Sequence, residues 1–418
     1  MYKRQSVISI TGFTGSTYAL DNVIVSEIDE CYTDDSGKGK FHYQPPTGYL
    51  ALCEDNLPTP AIADPGDHFK TVLYTGTGSS RAVTGVGFKP DFIWCKSRTN
   101  TEGHILFDSV RGPEKRLLAM GTQAEATSTG GVMSFDDDGY STAQYTGTNQ
   151  SGQDYVAWCW KAGGAAVTNT DGTITSQVSV NQDAGFSIVS YTGNQTLGAT
   201  VGHGLNKTPK FIITKQRSTA NHHWRTYHSS IGAQRSVYLD LTNAQTGVDA
   251  GFMNSTEPTT SVFSIGNDTN INENNQEHIA YCWAEIEGYS KFGSYLGNGN
   301  ADGPFVYCGF KPAWIMIKPY GSGNGCYSGG YTSWSIYDSS RSPVNNDTMH
   351  ERVLFANRDY AEGKRGNGAS SGAFQNLDFV SNGFKIKGNS NCETNTNSLN
   401  GFIFIAFAES PFQTANAK

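Results

Sequence analysis

Asp108 and Arg111, repeated as Asp338 and Arg341, place a carboxylate three residues ahead of a guanidinium twice in one chain. Such a pair can orient a catalytic water or grip a sugar hydroxyl, and it can equally close a turn as a structural ion pair. A degraded version, Tyr227-His228-Ser229-Ser230-Ile231, keeps the frame without either charge, which favours the structural role. Asp136-Asp137-Asp138-Gly139 gathers three carboxylates that suit Ca²⁺ by type but not by the spacing of a calcium loop, so a solvated hairpin turn is expected. His222 and His223, with His228 nearby, could be metal ligands, yet adjacent residues on a strand point to opposite faces. The stretch Gly321 to Gly330 lacks the Lys-Ser/Thr of a phosphate cradle. A hydrolase needs a nucleophile with its base, or two carboxylates in one cleft, and no such signal stands out. No catalytic residue, no cofactor and no metal is therefore expected.

The strongest binding candidate is an insertion peculiar to the last third of the chain. Tyr320, Asn324, Tyr327, Tyr331 and Trp334 combine aromatic faces with amide and hydroxyl groups. Rigid rings with adaptable polar neighbours give contact area at low entropic cost, and sugars dock on similar platforms. The simpler alternative is a loop packed on a neighbouring domain.

These residues are positioned by three copies of one strand pattern. Each copy opens on an aromatic strand ending in Tyr-x-Gly, anchored by Tyr74, Tyr191 and Tyr295 at spacings of roughly 110 residues, long enough for each copy to hold its own core. A second strand follows with Pro two residues before an aromatic: Pro90 and Phe92, Pro209 and Phe211, Pro312 and Trp314. Lys96, Lys215 and Lys318 each fall four residues after that aromatic. The Asp108 and Arg111 block comes next, then a short strand, then a closing strand at Tyr155 to Trp160, His278 to Trp283 and Phe402 to Phe407, each with an Ala.

Apolar residues make up 37% of the 418 residues and charged ones 16%, with 48 Gly and 12% aromatics, so short aromatic strands between polar turns fit better than helices. A net charge of −8 argues against a nucleic-acid partner, which would need clustered Lys and Arg. No run approaches the roughly 18 consecutive apolar residues that cross a bilayer, and membrane insertion is not expected. Eight cysteines show no zinc spacing, and Cys95, Cys159, Cys282 and Cys308 read as reduced core thiols. The fold class is all-β: tandem antiparallel β-sandwich domains of jelly-roll or lectin-like type at 65–162, 183–288 and 289–412. Residues 163–182 form a linker with a connecting strand and 413–418 a tail. Separate folding of the three copies is expected, with the short second junction stiffening copies two and three into a rod.

Several segments resemble tandem β-domain repeats of tail-fibre and virion structural proteins of tailed bacteriophages, marine and cyanobacterial ones in particular. They are Gly87 to Arg98, Leu106 to Gly112, Ser134 to Tyr140, Tyr155 to Gly164, Gly202 to Ser218 and Ile405 to Phe412. Gly37 to Pro58 is similar to the segment that follows a lectin-like SPRY or laminin-G domain in such proteins, so residues 6–64 are expected to be the remnant of a preceding β domain in a longer parent. Residues 1–5 resemble translated sequencing adaptor. The resemblance implies a tail component of the virion, assembled in the host cytoplasm, with other tail proteins as partners. A host-surface glycan or protein is a further partner, and the parent is expected to be a homo-oligomer, a trimer as fibres commonly are. A capsule or polysaccharide depolymerase and a capsid decoration or spacer protein are the alternatives.

Overall fold

The computed structural model describes residues 32–51, 53–57, 59–321, 332–345, 352–363, 376–387, 394–395 and 401–411. The chain divides into two compact units, Met1–Thr59 and Pro60–Lys418. In the smaller one, Tyr32 and Phe41 form an antiparallel bridge. Beside it the buried Asp34 carboxylate accepts from the main-chain N–H of Ser36, Lys38 and Ala51 and from Asn56 Nδ2.

The larger unit is all-β and antiparallel. Its first repeat runs β1 (Phe69–Thr75), β2 (Arg81–Thr84), β3 (Phe92–Ser97), β4 (Ile105–Asp108), β5 (Lys115–Leu118), β6 (Ala126–Thr127), β7 (Val132–Asp136), β8 (Gly139–Thr142), α1 (Thr146–Asn149) and β9 (Asp154–Trp160). Then come β10 (Val167–Asn169) and β11 (Ser176–Asn181), followed by the second repeat: β12 (Phe186–Thr192), β13 (Ala199–Gly202), β14 (Pro209–Gln216), β15 (Arg225–His228), β16 (Val237–Tyr238), α2 (Ala250–Met253), β17 (Val262–Ile265), α3 (Thr269–Asn272) and β18 (Glu277–Ala284). The third has β19 (Ser290–Leu296), β20 (Asp302–Tyr307), β21 (Phe310–Pro319), β22 (Ser335–Asp338), β23 (Leu354–Phe355), β24 (Asn376–Val380), β25 (Gly383–Lys387) and β26 (Gly401–Pro411).

All three repeats share one topology. The large sheets are ordered β1-β9-β3-β4-β5, β12-β18-β14-β15-β16 and β19-β26-β21-β22-β23, and a small sheet covers one face of each. The connecting strand expected within 163–182 is β11, and with β10 it extends the second large sheet, so this stretch is part of a repeat more than a linker. Register is equivalent throughout, with Phe92 opposite Trp160, Phe211 opposite Trp283 and Trp314 opposite Phe407. It also corrects one reading of the closing strands. Ala157 and Ala280 are equivalent to each other, but their counterpart in the third repeat is Phe404, and Ala406 lies level with Cys159 and Cys282.

Local chemistry accounts for the repeated motifs. Proline cannot donate to a ladder, and the register slips at Pro209 and Pro312, before the aromatic that resumes pairing. The Tyr-x-Gly tyrosines lock the sheet end to the chain crossing it, donating to Thr148 O at 2.7 Å, Ile271 O at 2.7 Å and Thr394 O at 2.8 Å. That crossing chain comes so close that a Cβ on Gly76 or Gly193 would lie 2.2 or 2.3 Å from a carbonyl oxygen, which is why the third residue is Gly.

Each large sheet is buried on both faces. Outward residues, such as Ile93, Cys95, Tyr155, Ala157 and Cys159 of the first repeat, form a private core beneath the small sheet. The inward ones, such as Phe92, Trp94, Trp158 and Trp160, join their counterparts from both other repeats in one central core. Ring contacts there span every pair of repeats: Phe92 and Tyr281 at 4.4 Å between centroids, Phe211 and Phe292 at 6.1 Å, Trp160 and Trp314 at 5.7 Å. This corrects the expectation of separately folding domains in a rod, because an isolated repeat would expose the tryptophan-rich face of its large sheet to water. Among the described residues no helix is long and apolar enough to cross a membrane.

Candidate functional site

The two Asp–Arg pairs singled out for chemistry lie at junctions between repeats. Asp108 accepts from Arg111 Nε at 2.5 Å and Arg111 N at 2.8 Å, and from the Tyr281 hydroxyl of the second repeat at 2.7 Å. Glu125 adds a second carboxylate at 3.3 Å from Arg111 and holds Arg217 of the second repeat at 3.2 Å. The third repeat makes the same set towards the first. Asp338 accepts from Arg341 Nε at 2.5 Å, Arg341 N at 2.8 Å and Trp158 Nε1 at 3.0 Å, while Glu362 bonds Arg341 at 3.1 Å and Arg98 at 2.8 Å. Both Asp–Arg pairs are fully buried, so they are junction ties and not an open cleft.

The junction between the second and third repeats is the neutral version of this device. At the Asp position stands His228, and the residue facing it, equivalent to Tyr281 and Trp158, is Ile405, which offers no side-chain donor. His228 Nε2 instead lies 3.2 Å from the Phe404 carbonyl. With no carboxylate to neutralise, the Arg position is Ile231, the Glu position Gln245 and the outer Arg position Tyr320. The main chain confirms the equivalence, since Glu125 N, Gln245 N and Glu362 N donate to Arg217 O, Tyr320 O and Arg98 O at 2.9, 3.0 and 2.8 Å. The charges missing from this junction are thus replaced at four positions together, three in the second repeat and one, Tyr320, in the third.

Rings entering each β4-equivalent strand close the circle in the opposite direction. Trp224 Nε1 donates to Leu118 O of the first repeat, and Trp334 Nε1 to Tyr238 O of the second, both at 2.8 Å. His104 takes this place against the Phe355 main chain of the third, a looser contact in which Nε2 has no partner in bonding geometry. Its Nδ1 accepts from Trp94 Nε1 at 2.9 Å, so the neutral ring carries its proton on Nε2, facing as the indoles do. Trp224→Phe is expected to cost about 1 kcal/mol, because it removes the donor from a part-buried carbonyl; chemical denaturation measures it.

Lys96, Lys215 and Lys318 share one register position, opposite Val156, Ile279 and Ile403, and all are buried on the central-core side. Lys96 Nζ donates to Ser97 O at 2.5 Å and Asn100 O at 3.2 Å, Lys215 to His222 O, and Lys318 to Leu241 O of the second repeat at 3.2 Å and to Thr332 O. Burial lowers the pKa of Lys96 and Lys215 to about 8. Carbonyl caps of this kind let an ammonium close the end of an apolar core.

The other candidates are placed as follows. Trp334 is fully buried in the central core, and Tyr320 packs against that core, so these two belong to a junction and not to an exposed platform. Asn324, Tyr327, Tyr331 and the stretch 322–331 lie outside the described residues. Asp136 and Asp138 flank a β7–β8 hairpin, with Asp136 accepting from Ser134 and Ser141 and Asp138 from Gly85 N and Gly87 N. His222 lies 3.3 Å from Glu273, and His223 2.6 Å from Asp240. Cys95, Cys159, Cys282 and Cys308 are buried free thiols. Among the described residues no three His, Cys, Asp or Glu side chains are grouped to hold a metal ion.

Sequence reasoning passed over one repeated residue, the buried asparagine at 149, 272 and 395. Its Oδ1 accepts from the main chain of the loop after Tyr-x-Gly, at Thr77, Asn194 and Asn298, each at 2.8 Å. An Asn standing six or seven residues before each closing strand was the available signal.

Burial of neutral histidines has a consequence in acid. Desolvation lowers His203, His228 and His278 to about 4, so the unfolded chain, titrating near 6.5, binds these protons before the native state does. Their contribution to stability is complete above pH 6.5 and is lost as pH falls towards 4. Urea midpoints at pH 7 and 5 are expected to differ in that direction, each such group adding up to about 1.4 kcal/mol per pH unit.

Residues 64–411, all three repeats together, match the model of a family described as Domain of unknown function (DUF7483). No curated protein matches the chain. No solved structure matches it either.

Proposed function

We propose, for a chain that belongs to the DUF7483 family, that it is a virion structural protein of a tailed phage, a tail-fibre or host-attachment segment without catalysis. The observation that carries the non-catalytic part is that the two Asp–Arg pairs are buried and tie the first repeat to the other two, while the lysines are buried caps on main-chain carbonyls. The phage assignment is supported by the resemblance of segments such as Gly87 to Arg98 and Tyr155 to Gly164 to tail proteins. A closed body with loops displayed at the sheet ends suits a role in which the scaffold resists force and the loops meet a partner.

An antibody against residues 60–411, used for immunogold electron microscopy of phage particles encoding the chain, tests this. Label at the tail is expected. Label over the capsid would make it a decoration protein, and unlabelled particles would remove it from the virion. Release of reducing sugar from host capsule by the purified chain would make it a depolymerase.

A further inference from the structure

The first and second repeats differ at one sheet end. In the first repeat a groove of about 600 Å³ opens between the β1–β2 loop and the segment entering α1. Thr77, Gln144, Tyr145, Thr146, Gln150 and Ser151 line it together with the backbone of Gly78, and none of these is charged.

The second repeat shows how the same place is closed. Gly78 N donates to Asn149 O at 2.9 Å and Gln195 N to Asn272 O at 3.0 Å, so the two residues are equivalent, and both are left-handed, at φ 70° and 57°. Gln195 sends its Nε2 across the gap to Asn267 O, whereas Gly78 has no side chain to send. At the helix start the second repeat has Asp268, which caps Asn270 N at 2.9 Å and holds Arg225 at 3.0 Å. The first repeat has Tyr145 there, with no side-chain capping bond, and Ile105 in place of Arg225. The first repeat forgoes that cap, worth about 1 kcal/mol, and the Tyr145 ring packs instead on the edge of the repeat's own core. The ring is half-buried, with the Arg116 guanidinium 5.9 Å from its centroid. Gly78, matched in the third repeat by Gly299, leaves the gap open, and Tyr145 at the place of Asp268 furnishes it with an aromatic face.

We infer that this groove is a binding site for a neutral saccharide. A pyranose ring offers an apolar C–H face to stack on Tyr145 and hydroxyls to exchange hydrogen bonds with Thr77, Thr146, Ser151 and the amides of Gln144 and Gln150. The uncharged lining favours a neutral sugar over a uronate or sulfate, which would call for a cation in direct contact. The inference deepens the attachment role proposed above and rests on it.

Saturation-transfer NMR on the full chain tests it, with methyl glycosides of glucose, galactose, mannose and N-acetylglucosamine as probes and methyl glucuronide as the acidic control. At least one neutral glycoside is expected to receive saturation, with the glucuronide weaker. Tyr145→Ala and Gly78→Gln, the second copying the closed repeat, should each weaken binding at least about tenfold while the chain still melts cooperatively, at a lower temperature because Tyr145 packs on the core and Gly78 is left-handed. Gln144→Ala, at an exposed position, should weaken it too and keeps the test readable if another variant unfolds. No saturation of any neutral glycoside, preference for the glucuronide, or undiminished binding in the folded variants would overturn the site. Failure here with tail label on virions leaves the structural role standing, whereas sugar binding by a chain absent from virions removes the role and keeps the site.

Discussion

A chain cut after Gly288, and so lacking the third repeat, is expected to lose cooperative folding and to aggregate. The cut uncovers inward faces of both remaining large sheets, among them Phe69, Trp158, Trp160 and Phe211, which meet Phe407, Trp314, Trp334 and Phe292 of the third repeat. Four large aromatic side chains at about 2–3 kcal/mol each amount to on the order of 10 kcal/mol. That rivals the entire stability of an ordinary domain. The cut also removes Asp338 and Glu362 from Trp158 and Arg98. Thermal denaturation should show no sharp transition for the truncated chain beside a sharp one for the intact chain. A soluble, cooperatively melting two-repeat protein would mean that the private cores suffice.

Asp108→Ala is expected to destabilise the chain by about 3 kcal/mol or more, because it leaves the buried Arg111 with only Glu125, at 3.3 Å, as counter-charge and the Tyr281 hydroxyl without its acceptor. His228→Ala, at the equivalent place in the neutral junction, should cost less, about 1–3 kcal/mol, since it strands no charge. Urea unfolding of the two variants gives the comparison. Equal losses would contradict the view that charge and partner were replaced together at the neutral junction.

Much of the scaffold was legible in the sequence because the repeat constrains it three times over. Pro before an aromatic, Lys four residues later and Tyr-x-Gly each answer to a local cause: a broken ladder, a capped core end, a close chain crossing. The shared core was harder to see. Its signal lay in Tyr155-Val156-Ala157-Trp158-Cys159-Trp160, a run without a polar residue, where a strand with one face in water alternates. Read as the strand of a free-standing sandwich, that run left three tryptophan-rich surfaces uncovered. The junction chemistry was out of reach for a related reason. Asp108 and Tyr281 lie 173 positions apart in the chain, and nothing local says that a carboxylate in one copy answers a hydroxyl in the next. The groove beside Tyr145 depends on what is missing at Gly78, which only an equivalent residue such as Gln195 reveals.

Amide hydrogen exchange at Trp158, Tyr281 and Ile405, the equivalent residues of β9, β18 and β26, tests the central claim most directly. One core shared by three repeats predicts that the three amides exchange only through global unfolding, with the same opening free energy and the same denaturant dependence. Three distinct free energies, each responding to denaturant as a separate unit, would contradict a single closed domain.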